Sequence, residues 1–395
     1  MTKQDENDVN EDEPYIGFYT KNKISPVHQN ISDLEKHFSR RDYLYRTLGV
    51  PPYALEGKSV VEFAPGSGHN ALYTMSLSPK RYLLVDMNTT GIDEGKALLK
   101  EYYPNADCYE FVRSKIQDFQ SVEKFDVVIC EGAVPNQTDS AAFARHVGSF
   151  VKPGGMLVIT VCDNVGVLSE LIRRLIAEKI CPSSEPFDTR LEAVRSIFAP
   201  HFEAISGTSR PLDHWLMDNI IQKWLYPVFA VDEAIEALQD AFEVYGTSPQ
   251  FLTDWRWHKQ IHGDEAGLNE RAIEQYKVHG ISFINGSRLL PPVIVQDADV
   301  IRQHAQKIWD YMIEIQDGNT DLWQMVADSC NTIAASLQAY DTQTSEAIKE
   351  AAVFFEREGK VDPQAHFDKF TSLFGQGQQY ISFVRKRDLI PTANA

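Results

Sequence analysis

The sequence predicts an α/β fold: a mostly parallel sheet with helices on both faces, followed by a mainly helical C-terminal addition. Three observations predict it. An apolar run from Ser59 to Phe63 enters a turn containing Gly66 and Gly68, and a helical pattern follows from Asn70. Short apolar runs then alternate with helical stretches as far as Val161. Residues 296–370 place apolar side chains at helical spacing, as in Ile301, Ile308, Met312 and Ile315. Strands separated by helices imply right-handed crossovers, and so parallel pairing with both faces covered.

Taken in order, residues 1–13 are acidic and polar and read as a disordered lead. They lack the basic start and apolar stretch of a signal peptide. Residues 14–55 read as an N-terminal lid and helix. Tyr15, Phe18 and Tyr19 make its first part aromatic, and a helix over 31–48 follows, with Ser32 as N-cap and Glu35 completing a capping box. Gly49 and the prolines after it stop that helix. Strands are expected at 59–63, 81–86, 108–112, 125–130 and 156–161, and helices at about 69–78, 91–102 and 138–150. Runs such as Tyr82 to Val85 and Val127 to Cys130 are continuously apolar, as strands buried on both faces must be. Residues 56–260 form the α/β domain with further helices over 164–245. Residues 242–260 read as β structure, with Trp255, Arg256, Trp257 and His258 in a strand with buried tryptophans. Residues 261–395 are the helical addition, and a terminal strand at 379–385 either rejoins the main sheet, the favoured reading, or belongs to a small separate domain.

Composition limits the function. The 395 residues are 43% hydrophobic and 24% charged, as expected for a soluble globular chain. The formal charge of −18 opposes a nucleic-acid surface, which needs a basic face. Arg40-Arg41 and Arg385 to Arg387 are local basic clusters that read as solvated faces. The five cysteines, at 108, 130, 162, 181 and 330, are odd in number and contain no CxxC pair. That pattern suits a reducing compartment and a cytoplasmic protein, with no structural metal. No segment reaches the roughly 18 apolar residues of a membrane span.

The glycine turn lets the backbone approach a ligand where a Cβ would collide, and the following helix aims free N–H groups at the same place. Gly66, Gly68 and Ala71 satisfy a dinucleotide pattern, and Asp86 stands where a carboxylate accepts ribose hydroxyls. These features alone admit NAD. Glu62, ahead of the turn, suits a ligand with a positively charged amino group and opposes a pyrophosphate.

The ordered strings E-F-A-P-G-S-G (62–68), L-L-V-D (83–86), F-D-V-V-I (125–129) and V-K-P-G-G-M-L-V-I (151–159) resemble the class I S-adenosylmethionine-dependent methyltransferases. The resemblance covers roughly residues 55–165. It implies a Rossmann-like, mostly parallel seven-stranded sheet with S-adenosyl-L-methionine as cofactor. Carried across, it has Glu62 orient the methionine amino group while Gly66 and Gly68 leave room for the carboxypropyl chain. Asp86 would bind the ribose, and Met87 would pack on the adenine. Ile116 and Gln117, within Lys115 to Asp118, would close over the other adenine face, with Gln117 or Asp118 meeting the adenine amino group. Glu131 would lie where the methyl projects. Ala64-Pro65 departs from the family pattern and stiffens the turn, with Ala64 kept among the cofactor-binding positions. His69 and Asn70 would bind the cofactor carboxylate or cap the helix.

An oxygen acceptor needs a general base. His214 is the first candidate, with Asp213 or Asp218 to orient it, and His28 is the second. Tyr15 and Tyr19 could stack in a lid over the cofactor. The expected substrate is a small molecule or glycan precursor, O-methylated for preference. A nucleic acid is not expected, since Glu131-Gly132-Ala133-Val134 stands where amino-methylating nucleic-acid enzymes carry N/D-P-P-Y/F. The rival readings are an NAD(P)-dependent oxidoreductase and a non-catalytic cofactor-binding partner subunit. The helical C-terminal third could form a homodimer interface.

Overall fold

The computed structural model describes residues 29–387, apart from 136, 206–207, 209–210, 225, 264–266 and 358–365. Tyr15, Tyr19 and His28 lie outside the described residues, and so does the part of the expected lid that precedes residue 29.

Seven strands form one sheet: β1 (Ser59–Phe63), β2 (Arg81–Asp86), β3 (Tyr109–Arg113), β4 (Phe125–Cys130), β5 (Val151–Val161), β6 (Phe242–Ser248) and β7 (Gln379–Arg385). Their spatial order is β3-β2-β1-β4-β5-β7-β6. The pairs β1/β2, β2/β3, β1/β4 and β4/β5 are parallel. Only β7 runs against its neighbours, with Ile159 opposite Ile381 and Thr247 opposite Ile381 on its other side. The terminal strand therefore rejoins the main sheet after the helical excursion. Strand order reverses between β1 and β4, so their carboxyl ends open a crevice where α/β sheets bind ligands.

Alternation along each strand divides the core. Val61, Phe63, Leu83, Val85 and Val128 face one layer, covered by α4 (Ser140–Gly148), α8 (Val231–Leu238) and α9 (Leu268–His279). Val60, Tyr82, Leu84 and Ile129 face the other, covered by α1 (Leu34–Thr47), α2 (Ala71–Ser76) and α3 (Thr89–Tyr102). Ser382 Oγ donates to the Leu48 carbonyl at 2.6 Å, tying the end of α1 to the antiparallel edge.

A third apolar core is mainly helical. It gathers α5 (Leu168–Ile180), α6 (Phe187–Glu203), α7 (Leu212–Leu216), α10 (Val295–Gln316), α11 (Trp323–Leu337) and α12 (Thr342–Phe355). On α10 the buried positions Ala298, Ile301, Ala305, Ile308, Met312 and Ile315 step by three and four, which keeps them on one face. No helix among the described residues is long and apolar enough to cross a membrane.

Three local expectations are corrected. Asp33, not Ser32, caps α1, its carboxylate accepting from the Lys36 N–H at 2.9 Å. The strand expected over 242–260 ends at Ser248. Beyond it Trp255 is 92% exposed and Trp257 58% exposed. They are not buried in a strand, because Pro249 and the charged Asp254–Arg256 pair hold that segment outside the sheet.

Candidate active site

The turn after β1 is left-handed at three residues: Ala64 (φ 55°), Gly66 (φ 56°) and Gly68 (φ 76°). Ala64 holds its unusual backbone through its N–H, which donates to the Val85 carbonyl at 2.9 Å. The turn also lies against α3. A Cβ on Gly91 would meet the Gly66 backbone at 3.0 Å, and one on Gly68 would meet the Gly95 Cα at 3.1 Å. The cradle thus needs two helical glycines that the strand–turn motif does not reveal. Their i, i+4 spacing in a helix that would be more stable without them was the available sign.

Asp86 ends β2 under this turn. Its carboxylate accepts from the Gly66 N–H at 3.1 Å and the Asn88 N–H at 2.8 Å. Burial pushes the carboxyl up from its ordinary value, and those N–H bonds pull it back. Asn88, not Asp86, caps α3 through its side chain.

A cavity of about 570 Å³ opens above these strand ends. Ala64, Gly66, Asn70, Asp86, Met87 and Glu131 line its first half. Ile116 and Gln117 line it from the loop after β3. Gln117 Nε2 donates to Gln137 Oε1 at 3.1 Å, and Gln137 in turn donates to the Ala133 carbonyl at 2.8 Å. Asp118 is not among the lining residues, so of the two candidates for an adenine amino group only Gln117 faces the cavity.

Glu62 is absent from the lining. Its carboxyl is 4% exposed and accepts from the Tyr82 hydroxyl on the neighbouring strand. Burial, and next the nearby Glu131, raise it to about 7, against the hydrogen bond from Tyr82. Strand alternation explains this: Glu62 points into the sheet layer rather than past the strand end.

Glu131 does line the cavity, but its carboxylate is engaged. Arg41 of α1 grips both oxygens, at 2.8 and 2.7 Å, and both side chains are under 10% exposed. Tyr45 and Asn70 Nδ2 also donate to it, each at 3.4 Å. Asn70 precedes α2 without capping it through its side chain. His69 is turned away: its Nδ1 meets Ser67 Oγ at 2.7 Å, and its carbonyl meets His37 Nε2 at 2.9 Å.

The second half of the cavity is lined by Glu170 of α5, by Trp215, Asp218, Gln222 and Trp224, and by Tyr380 of β7. After α7 the helix widens into a π turn, Met217–Ile221. Such turns leave carbonyls without helical partners. Arg174, fully buried, supplies the donors: its guanidinium bonds the carbonyls of Asp218 (3.0 Å) and Gln222, and lies 4.3 Å over the Trp224 ring. Trp224 packs in turn on Trp309 of α10.

The structure does not bring His214 and Asp213 to this wall. Neither lines the cavity. Asp213 makes a two-point bond to Arg195 at 2.9 Å, nearly half exposed, on the outer side of α7. It is Trp215 that the helix turns inward, at 7% exposure. Asp218, one turn later, does reach the cavity.

Residues 55–206 match a family model described as a methyltransferase domain. No curated protein matches the chain. Among solved structures, it is similar to PKMT2 from Rickettsia typhi in complex with AdoHcy, at 17% identity over 60% of this chain and 49% of that one, with a TM-score of 0.44. The chain thus spans about half the length of that protein. It is also similar to the N-methyltransferase NodS from Bradyrhizobium japonicum WM9, crystallised with S-adenosyl-L-homocysteine, at 14% identity over 37% of this chain and 74% of that one, with a TM-score of 0.30. A third likeness is to the CcbJ methyltransferase from Streptomyces caelestis, at 18% identity over 32% of this chain and 51% of that one, with a TM-score of 0.28.

Proposed function

We propose that this chain, whose residues 55–206 form a class I S-adenosylmethionine-dependent methyltransferase domain, moves the methyl group to a small hydroxylated molecule held in the second half of the cleft. The observation that carries the reading is a single cavity joining the glycine cradle to a wall of aromatic and amide side chains. Its volume falls within the roughly 300–1,000 Å³ usual for small-molecule sites.

The residues present fit the cofactor. Gly68 seats the turn against Gly95 of α3 while Gly66 lines the cavity, and Asn70 keeps a buried oxygen, Oδ1, without a partner at its edge. Asp86 suits the ribose hydroxyls, Met87 and Ile116 suit the two faces of the adenine, and Gln117 suits its edge. When bound, S-adenosylmethionine supplies an electrophilic methyl on a sulfonium, and the protein's part is to align the acceptor oxygen in line with it.

A polyhydroxylated ring suits the acceptor wall. Its C–H face can lie on Trp215 or Trp224, and its hydroxyls can bond Gln222, Asn219 and Gln378. As the acceptor oxygen takes the methyl it gives up a proton, and Glu170 and Asp218 are carboxylates on that wall able to accept it. Glu131 is poorly suited to that task, because Arg41 occupies both its oxygens.

Thermal shift with S-adenosylhomocysteine against NAD tests the reading. Stabilisation by the former alone is expected, and stabilisation by NAD alone overturns it. Release of S-adenosylhomocysteine over a panel of monosaccharides and nucleotide sugars then tests the acceptor class. Turnover confined to amines would discard the hydroxyl.

A further inference from the structure

Resting on the S-adenosylmethionine reading above, we infer that Arg41, on the helix preceding the domain, is a positioning residue for the cofactor's amino group. It acts through Glu131 on Asn70. Both Glu131 oxygens are held by the Arg41 fork, at 2.8 and 2.7 Å. Asn70 Nδ2 donates to Glu131 Oε2 at 3.4 Å. Asn70 is 8% exposed and lines the cavity beside the glycine turn. Its Oδ1 is buried and has no partner.

The chemistry fixes the orientation. A carboxylate only accepts hydrogen bonds, so the amide must turn its NH₂ to Glu131. Its oxygen then faces the other way. A buried amide oxygen left unpaired costs about 1–3 kcal/mol, so this position selects a ligand that carries a donor. The methionine ammonium of the cofactor, with three N–H groups, is such a donor at the correct end of the cradle. Glu62, the other candidate, is held by Tyr82 outside the cavity lining.

The Arg41 guanidinium fixes where the Glu131 carboxylate sits, and with it the direction in which the Asn70 amide points. A lysine could neutralise Glu131, but as a point charge it could not hold both oxygens in one plane. His37, on the same helix, adds the hydrogen bond with the His69 carbonyl, so α1 grips both sides of the turn–helix junction.

The test measures the affinity of the full chain by calorimetry for three ligands. S-adenosylhomocysteine carries the amine and the carboxylate, S-adenosyl-3-thiopropylamine carries the amine alone, and 5′-methylthioadenosine carries neither. Arg41→Met should weaken the two amine-bearing ligands by about tenfold, the loss of roughly one hydrogen bond to a charged group. Affinity for 5′-methylthioadenosine should stay within about twofold, since it has no group to meet Asn70.

Arg41→Met leaves Glu131 buried without its partner and could unfold the chain. Arg41→Lys keeps the charge, and its expected loss is smaller, about threefold, and equally selective. Asn70→Ala should reproduce the selective loss, and adding Arg41→Lys to it should cost nothing further. Equal weakening of all three ligands, or weakening of S-adenosylhomocysteine alone, would overturn the assignment. Failure of the unaltered chain to bind any of the three would instead remove the cofactor reading on which it rests.

Discussion

The cofactor half of the cleft takes its lining mainly from residues 64–137, whereas the acceptor half gathers residues from 162–226 and again from 377–380. The first half is a backbone device. Its shape comes from left-handed turns, close helix–turn contact and a carboxylate bonded to main-chain N–H groups. The second is a side-chain device. A buried arginine fastens a π turn and lies over Trp224, and Trp309 of α10 packs against that ring. Backbone devices tolerate few residue types at each position. Side-chain devices can be rebuilt by substitution, which is how one fold accepts many acceptors.

The largest effect should come from Asp86→Ala. The carboxylate holds the turn through Gly66 and would accept two ribose hydroxyls, each charged hydrogen bond being worth about 1.5–3 kcal/mol. S-adenosylhomocysteine affinity should fall roughly a thousandfold by calorimetry, about 4 kcal/mol. Hydrogen exchange over 212–224 should stay unchanged. A loss below about threefold would remove Asp86 from the ribose.

Arg174→Met strikes the other half. It removes the donors that Arg174 brings to the Asp218 and Gln222 carbonyls, at about 1–3 kcal/mol each. Stability in urea should fall by about 3 kcal/mol, with faster exchange over 215–224. S-adenosylhomocysteine affinity should hold within about twofold, because no atom of the cradle depends on Arg174. A parallel fall in cofactor affinity would show that the halves are not independent.

Two buried carboxyls behind the cleft differ on a smaller scale. Glu62, raised to about 7 mainly by burial, keeps a proton that the unfolded chain releases near 4.5. Its contribution is fully present below about 4.5 and is lost as pH rises to about 7. Asp163, just past β5 and bonded by the Tyr276 hydroxyl at 2.7 Å, is raised to about 6, again mainly by burial. Its window closes near pH 6. Glu62→Gln should therefore gain about 2 kcal/mol relative to the unaltered chain between pH 5 and pH 8, measured by urea midpoints. Asp163→Asn should make most of its gain below pH 6. Identical profiles for the two variants would contradict these environments.

The same contrast decides what the sequence could reveal. Strands β1, β2 and β4 and the glycine turn were legible because a parallel strand buried on both faces is a nearly continuous apolar run, and a left-handed turn favours glycine. β7 could be read as a strand, and whether it rejoins the main sheet or belongs to a small separate domain was a choice between two readings. Glu62 lies outside the cavity lining, and nothing in the motif shows that the Tyr82 hydroxyl on β2 engages it. Arg41 escaped notice because its partner lies 90 residues away, and an Arg40-Arg41 pair looks like an ordinary solvated face. The acceptor wall was harder still. Asp213, His214 and Trp215 are equally conspicuous in the chain, and only the docking of a five-residue helix decides that Trp215 turns inward.

That choice sets the smallest predicted effect. Asp213 and Arg195 form a two-point pair with both side chains nearly half exposed. Solvent and salt screen such a pair, and its two long side chains give up rotamer freedom to make it. Asp213→Ala should cost no more than about 0.5 kcal/mol in urea, and less in high salt. Neither cofactor affinity nor turnover should change beyond about twofold, because the carboxylate faces away from the cavity. A turnover loss of tenfold or more with stability intact would mean that α7 rotates on binding its acceptor and carries Asp213 and His214 inward. The acceptor half would then be a moving wall, while the cofactor half stays fixed by its backbone.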